Sequence, residues 1–107
     1  MIKDGFITPV GHSKFFAKKL FDEMGKIKWG ALAYIEAGGG GPEGNHTHED
    51  DHIFIVVEGE VKIYESNKAN IVKKDEMFYV KGSTPHSIWN NGTETAKVIK
   101  ISVSESN

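Results

Sequence analysis

Three of the chain's five histidines, His46, His48 and His52, fall within seven residues of the stretch GNHTHEDDHIFIVVEGEV. Imidazole is the commonest metal-binding side chain, so a cluster this dense is a candidate site for a divalent transition metal. Two folds would use it differently. His48-Glu49-Asp50-Asp51-His52 spells H-E-x-x-H, which on a helix sets two histidines on one face to hold zinc, with Glu49 as general base. On a strand the side-chain period is two, so His46, His48 and His52 share one face and Phe54 and Val56 continue it inward.

The flanks favour the strand. Ile53-Phe54-Ile55-Val56-Val57 is a β-branched and aromatic run that suits a pleated, half-buried surface. Ahead of His46 stands a glycine-rich stretch with a proline, and neither flank reads as helical. Both inner positions of the protease pattern are aspartate, which would give a catalytic helix nothing to pack against the protein body.

The elements that must position these residues follow from the rest of the chain. From about Lys26 it divides into KIKWGALAYIEA, HIFIVV, EVKIYE, NIVKK, EMFYV, HSIWN and TAKVIKISV, with turn residues between them. That pattern predicts an all-β sandwich or barrel. Glu58-Gly59 and Asn90-Asn91-Gly92 read as hairpin turns, Gly59 supplying the positive φ of a tight turn. SKFFAKKLFDEM fits a helical stripe as well as a strand, and its class stays open. GGGGPEG, from Gly38 to Gly44, lacks a following Gly-Lys-Ser/Thr and reads as a flexible loop, not a phosphate cradle.

At 107 residues the chain holds about one small domain, expected over 1–107, and no internal repeat or linker divides it. Thirteen basic residues against 15 acidic ones leave a net charge of -2 and no basic stripe, which argues against a nucleic-acid partner. All 13 basic residues are lysine, so the planar fork that clamps phosphates bidentately is missing. With no cysteine, disulfides, thiolate ligands and a cysteine nucleophile are excluded. No apolar run reaches the roughly 18 residues of a membrane span, and the first residues lack a signal-peptide core. The expectation is a cytoplasmic protein with no membrane partner.

Two motifs together resemble the cupin superfamily of small β-barrels. Gly40, His46, His48 and Gly59 fall on its first motif, G-x5-H-x-H-x3,4-E-x6-G, with His52 at the glutamate position. In the second, G-x5-P-x-G-x2-H-x3-N, His86 and Asn90 fall in register, while Asp75, Lys81 and Ser83 replace the family's Gly, Pro and Gly. Gly82 and Pro85 supply turn chemistry nearby. The resemblance spans about residues 27–103, with 1–26 as an N-terminal extension, and implies a double-stranded β-helix, or jelly roll.

The resemblance also implies a metal site of His46, His48, His52 and His86, an all-histidine variant of the family's. Four neutral imidazoles would leave a divalent ion its full charge and so favour an anionic ligand. The ion would act as Lewis acid and template. Zinc, iron, nickel, manganese and copper all remain open. Cupins include dioxygenases, isomerases and lyases as well as non-catalytic binders, so two classes stand: a metalloenzyme acting on a small oxygenated anion, and a non-catalytic cupin binding a metal and a small ligand. Tyr34 or Glu36, on a strand near the mouth, is the candidate acid or base. Phe54, Val56 and Ile88 should line the inner wall, with Tyr34, Tyr79 and Trp89 as possible additions, whereas His12 has no partner in any motif. Ile53, Ile55 and Val57 form an outward apolar row that suggests a homodimer, unless a second sheet of the chain covers it.

Overall fold

The computed structural model describes residues 4–46 and 50–104, without the side chains of 44–46. Eight strands form: β1 (Ser13–Phe21), β2 (Ile27–His46), β3 (Asp51–Glu58), β4 (Glu60–Glu65), β5 (Lys68–Lys73), β6 (Met77–Val80), β7 (His86–Asn90) and β8 (Ala96–Val103). No helix occurs among the described residues, so none is there to cross a membrane or to carry a zinc-protease motif. All pairings are antiparallel, in the order β5-β4-β7-β2-β8-β3-β6 with β1 alongside β2. The result is a nearly closed antiparallel barrel of the jelly-roll kind, as the motifs imply.

β2 is the strand both halves share. Its first part pairs with β8, from Ile27 opposite Val103 to Ile35 opposite Ala96, and its last part pairs with β7 at Gly40, Gly41 and His46. The glycine run expected to be a flexible loop is therefore strand. A Cβ at Gly39 would lie 2.4 Å from the Lys14 carbonyl oxygen, and one at Gly40 would lie 2.4 Å from that of Ile88. Gly40 also holds φ +152°, a conformation that side chains resist. Consecutive glycines here signal a backbone pressed between β1 and β7, not a backbone left loose.

Two further expectations change. β3 and β4 flank Gly59 without pairing with each other, and so do β7 and β8 around Asn90-Asn91-Gly92. Both turns carry the chain from one half of the barrel to the other and close no hairpin. Gly59 does take the positive φ expected, +81°. The real tight hairpin is β4–β5, with Ser66 and Asn67 both at positive φ and Glu65 opposite Lys68. The ambiguous SKFFAKKLF is strand β1, bound along β2 from Phe15 opposite Ile35 to Phe21 opposite Gly30.

Period-two alternation sorts the core. Phe54 and Val56 on β3, Val61 and Ile63 on β4, Ile88 on β7, and Ala96 and Val98 on β8 are buried, joined by Phe15 and Ile35. Lys100 continues the inward side of β8 between Val98 and Ser102, where burial pulls its pKa from 10.5 down to about 8.

Gly40→Ala should lose more than about 2 kcal/mol in urea denaturation, from forbidden φ plus backbone overlap. Gly92→Ala should be nearly neutral, because its Cβ would meet only the Asn90 side chain at 3.6 Å. Lys100 adds a pH signature. Because its pKa is lower folded than unfolded, the unfolded chain holds more protons between these two values, and stability rises as pH climbs from about 8 to 10.5. The gain should be about 1–3 kcal/mol and should vanish in Lys100→Met, read as the difference in urea midpoint between the two ends of that range.

Candidate metal centre

His52 opens the inward row of β3 and is 2 % exposed. Its Nδ1 meets the Ser102 hydroxyl at 3.0 Å, across the β3–β8 ladder in which the two residues are direct partners. The hydroxyl fixes the ring's plane and turns Nε2 away from water, towards the interior.

His86, the first residue of β7, is equally buried. Its Nδ1 lies 2.7 Å from the Thr84 carbonyl. A carbonyl only accepts, so Nδ1 carries the proton and Nε2 keeps the lone pair, the form that coordinates a metal. The two rings lie 5.2 Å apart, edge to face, a spacing within reach of one shared ion at about 2.1 Å nitrogen–metal bonds.

His46 is the last residue of β2, and its backbone stands directly opposite His86 in the β2–β7 register. Its side chain and all of His48 lie outside the described residues. Sequence periodicity set His46 and His52 on one strand, but they belong to two, β2 and β3. Among the described residues no group of three ligating side chains is assembled; the pair His52 and His86 is what the structure brings together. Buried imidazoles with anchored Nδ1 atoms fit a divalent transition metal, with His46 and His48 as the further candidate ligands.

Asp51 supports this pair in a way the motif comparison did not anticipate. Its carboxylate is buried, accepts a hydrogen bond from the Tyr79 hydroxyl, and takes the Gly82 amide at 3.0 Å. It thereby ties the start of β3, which carries His52, to β6 and to the turn leading into His86. Asn90, the final residue of the second motif, donates to the carbonyls of Ile35 at 2.7 Å and Glu94 at 2.8 Å and accepts from the Gly92 amide at 2.7 Å. It is a brace between β2 and the β7–β8 crossover.

One strand repeat from His52 and His86, and lined by neither, lies a cavity of about 300 Å³ whose walls include Phe15, Trp29, Ile35, Phe54, Ile88 and Lys100. Phe54 and Ile88 face inward as expected. Tyr34 and Glu36 fall between the cavity-lining Ala33, Ile35 and the exposed Ala37, and Tyr34 packs on Phe6 and under the Lys97 ammonium on the outer face. The structure does not bring Tyr34 or Glu36 to the histidine pair. Trp89 and Tyr79 likewise face outward, Trp89 donating to Ser87 at 2.9 Å beside an outer cleft. His12, which no motif includes, lines the cavity with its ring 4.6 Å from that of Phe15. Lys100 was legible in the alternation Ala96, Val98, Lys100, Ser102, where a charge occupies an inward position.

Comparison with known proteins agrees with this architecture. No protein of curated function matches the chain by sequence. Among solved structures, a predicted oxalate decarboxylase from Thermotoga maritima superposes with a TM-score of 0.80 at 18% identity, over 92% of this chain and 90% of that one. The cupin domain of an XRE family transcriptional regulator from Enterobacter cloacae gives 0.76 at 17% identity, over 88% and 100%. The Schizosaccharomyces pombe Cnp3 cupin domain gives 0.76 at 19% identity, over 87% of this chain and 66% of its own length. At these identities the likeness is one of fold. The Cupin domain family model matches residues 31–103, from within β2 to the end of β8 and including both histidine-bearing motifs, and the chain belongs to the cupin domain family.

Proposed function

We propose that the protein is a metal-dependent cupin enzyme that transforms a small oxygenated anion at a divalent transition metal held by His46, His48, His52 and His86. The observation that carries this is the buried pair of His52 and His86, whose Nδ1 atoms are each engaged by a protein oxygen while the rings sit 5.2 Å apart. Anchoring at Nδ1 leaves Nε2 of each ring as the atom that would coordinate, the way ligating histidines are usually held. A metal at this place would supply Lewis acidity and a template for an oxygen ligand. The protein's own residues do the rest. Ser102 and Thr84 hold the two imidazoles in place, and Phe54, Ile88 and Val98 give the neighbouring cavity apolar walls. Oxygenation, isomerisation and carbon–carbon or carbon–oxygen cleavage are the reaction types this reading covers. Neighbours by fold include both a predicted decarboxylase and a regulator's domain, so the enzyme reading rests on the site rather than on the fold.

The purified protein should carry about one transition-metal ion per chain by elemental analysis, and His46→Ala/His86→Ala should abolish it. Ser102→Ala should weaken metal affinity about 10–100-fold, the usual effect of removing a hydrogen-bond partner from a ligating histidine. Metal should be released on acidification only well below the ordinary imidazole value of about 6.5, because protons must displace the ion from each ring. Full occupancy in the double variant would rule the site out.

We further propose that a second copy covers the outer face of the sheet. Ile53 stands opposite Ile101 and Tyr79, and Ile55 opposite Ile99 and Met77, so three strands present one continuous apolar surface. Met77 is 53 % exposed and Tyr79 42 %, so no second sheet among the described residues covers them. Light scattering should give about twice the 11.8 kDa chain mass, and Ile55→Asp should return it to one. A wild-type monomer at micromolar concentration would remove the homodimer.

A further inference from the structure

Lys100 is the charged inward residue of β8, in a cavity whose other described walls are mainly apolar. Its Nζ lies 5.3 Å from the centre of the Trp29 ring and 5.9 Å from that of Phe54. Among the described residues no carboxylate stands within ion-pair distance of it, and its ion-pairing lysine counterparts elsewhere are on the surface. Two aromatic faces compensate an ammonium only in part. A cation placed this way is costly to the fold and offers an unmatched charge to whatever enters the cavity.

The surroundings define what that is. Phe15, Trp29 and Phe54 give aromatic walls, Ala31 and Ala33 leave width on the β2 side, and the volume of about 300 Å³ takes a molecule the size of a single substituted ring. Phe54 also lies 6.2 Å from the His52 ring, and Lys100 stands opposite Phe54 just as Ser102 stands opposite His52. The cation and the histidine pair are thus one strand repeat apart on the same inner wall.

We propose that Lys100 anchors the carboxylate of a small monoanionic ligand whose body is aromatic or compactly aliphatic and fills this cavity. Lysine presents a single point charge on a flexible stem, which suits one carboxylate at the end of an apolar body better than a doubly charged or phosphorylated group. This deepens the metal-centre reading by naming a substrate class. It does not depend on the metal, because the seat is built by Lys100, Trp29 and Phe54.

The test is a titration of benzoate, with neutral benzamide as its isostere, into the full chain both as purified and after chelator treatment, at a pH below the Lys100 value of about 8. A Trp89→Phe background leaves Trp29 as the sole tryptophan of the two and so as the reporter of the cavity. Benzoate should bind saturably and at least about tenfold more tightly than benzamide in both preparations. In Lys100→Met, an apolar replacement of similar length that should not disturb folding, the preference should fall to within about twofold, and in Lys100→Arg it should persist. A preference that survives Lys100→Met, equal binding of the two probes, or no saturable benzoate binding by about 20 mM would overturn the proposal. A preference present in purified protein and lost after chelation would overturn it in favour of direct metal ligation, whereas a preference kept in protein that never held metal would leave Lys100 standing without the metal centre.

Discussion

The barrel closes through the absence of side chains on one strand. Between Gly38 and Gly41 the backbone of β2 passes within van der Waals contact of Lys14 on one side and Ile88 and Trp89 on the other, at distances no Cβ would permit. Because β2 is common to both halves, this contact fixes how β7 lies against it. The β2–β7 register in turn sets His46 opposite His86, and β7 carries Ile88 into the core beneath the histidines. The cavity, and the hold of Asn90 on the Ile35 carbonyl, depend on the same close approach.

Much of this was legible in the chain, though unevenly. The inward row His52, Phe54, Val56 was readable because a period of two survives wherever one face is buried. The two family motifs carried fold and candidate ligands together. Turn residues misled for a definite reason: Gly59 and Gly92 report that the chain bends, and carry no information on which strands then pair. The glycine run misled in a similar way, since conformational freedom and close approach demand the same residue. Asp51 could not be read as a brace because its partners, Tyr79 and Gly82, are far away in sequence.

Charge is distributed in the interior with some economy. His52 stands where the family motif has a carboxylate, and the buried carboxylate among the described residues, Asp51, is turned to the outer side and engaged by Tyr79 and Gly82. Among the described residues, the cavity side of the barrel is left with imidazoles and one ammonium. An interior of that kind repels cations, tolerates neutral molecules and favours anions, whichever residues contact them.

The two crossovers at Gly59 and Asn90 bear on the order in which the molecule assembles. Among the described residues only β1–β2 and β4–β5 are sequence-local hairpins; the ladders β2–β8, β3–β8 and β2–β7 each close a long loop, which makes for slow, cooperative folding. His46, His48 and His52 are already neighbours in the unfolded chain, while His86 joins them only when β7 docks on β2. With the proposed metal, an ion captured early would meet a three-histidine tether common to both states. The distant fourth histidine is then the ligand that distinguishes native from unfolded protein, and through it the energy of coordination becomes energy of folding.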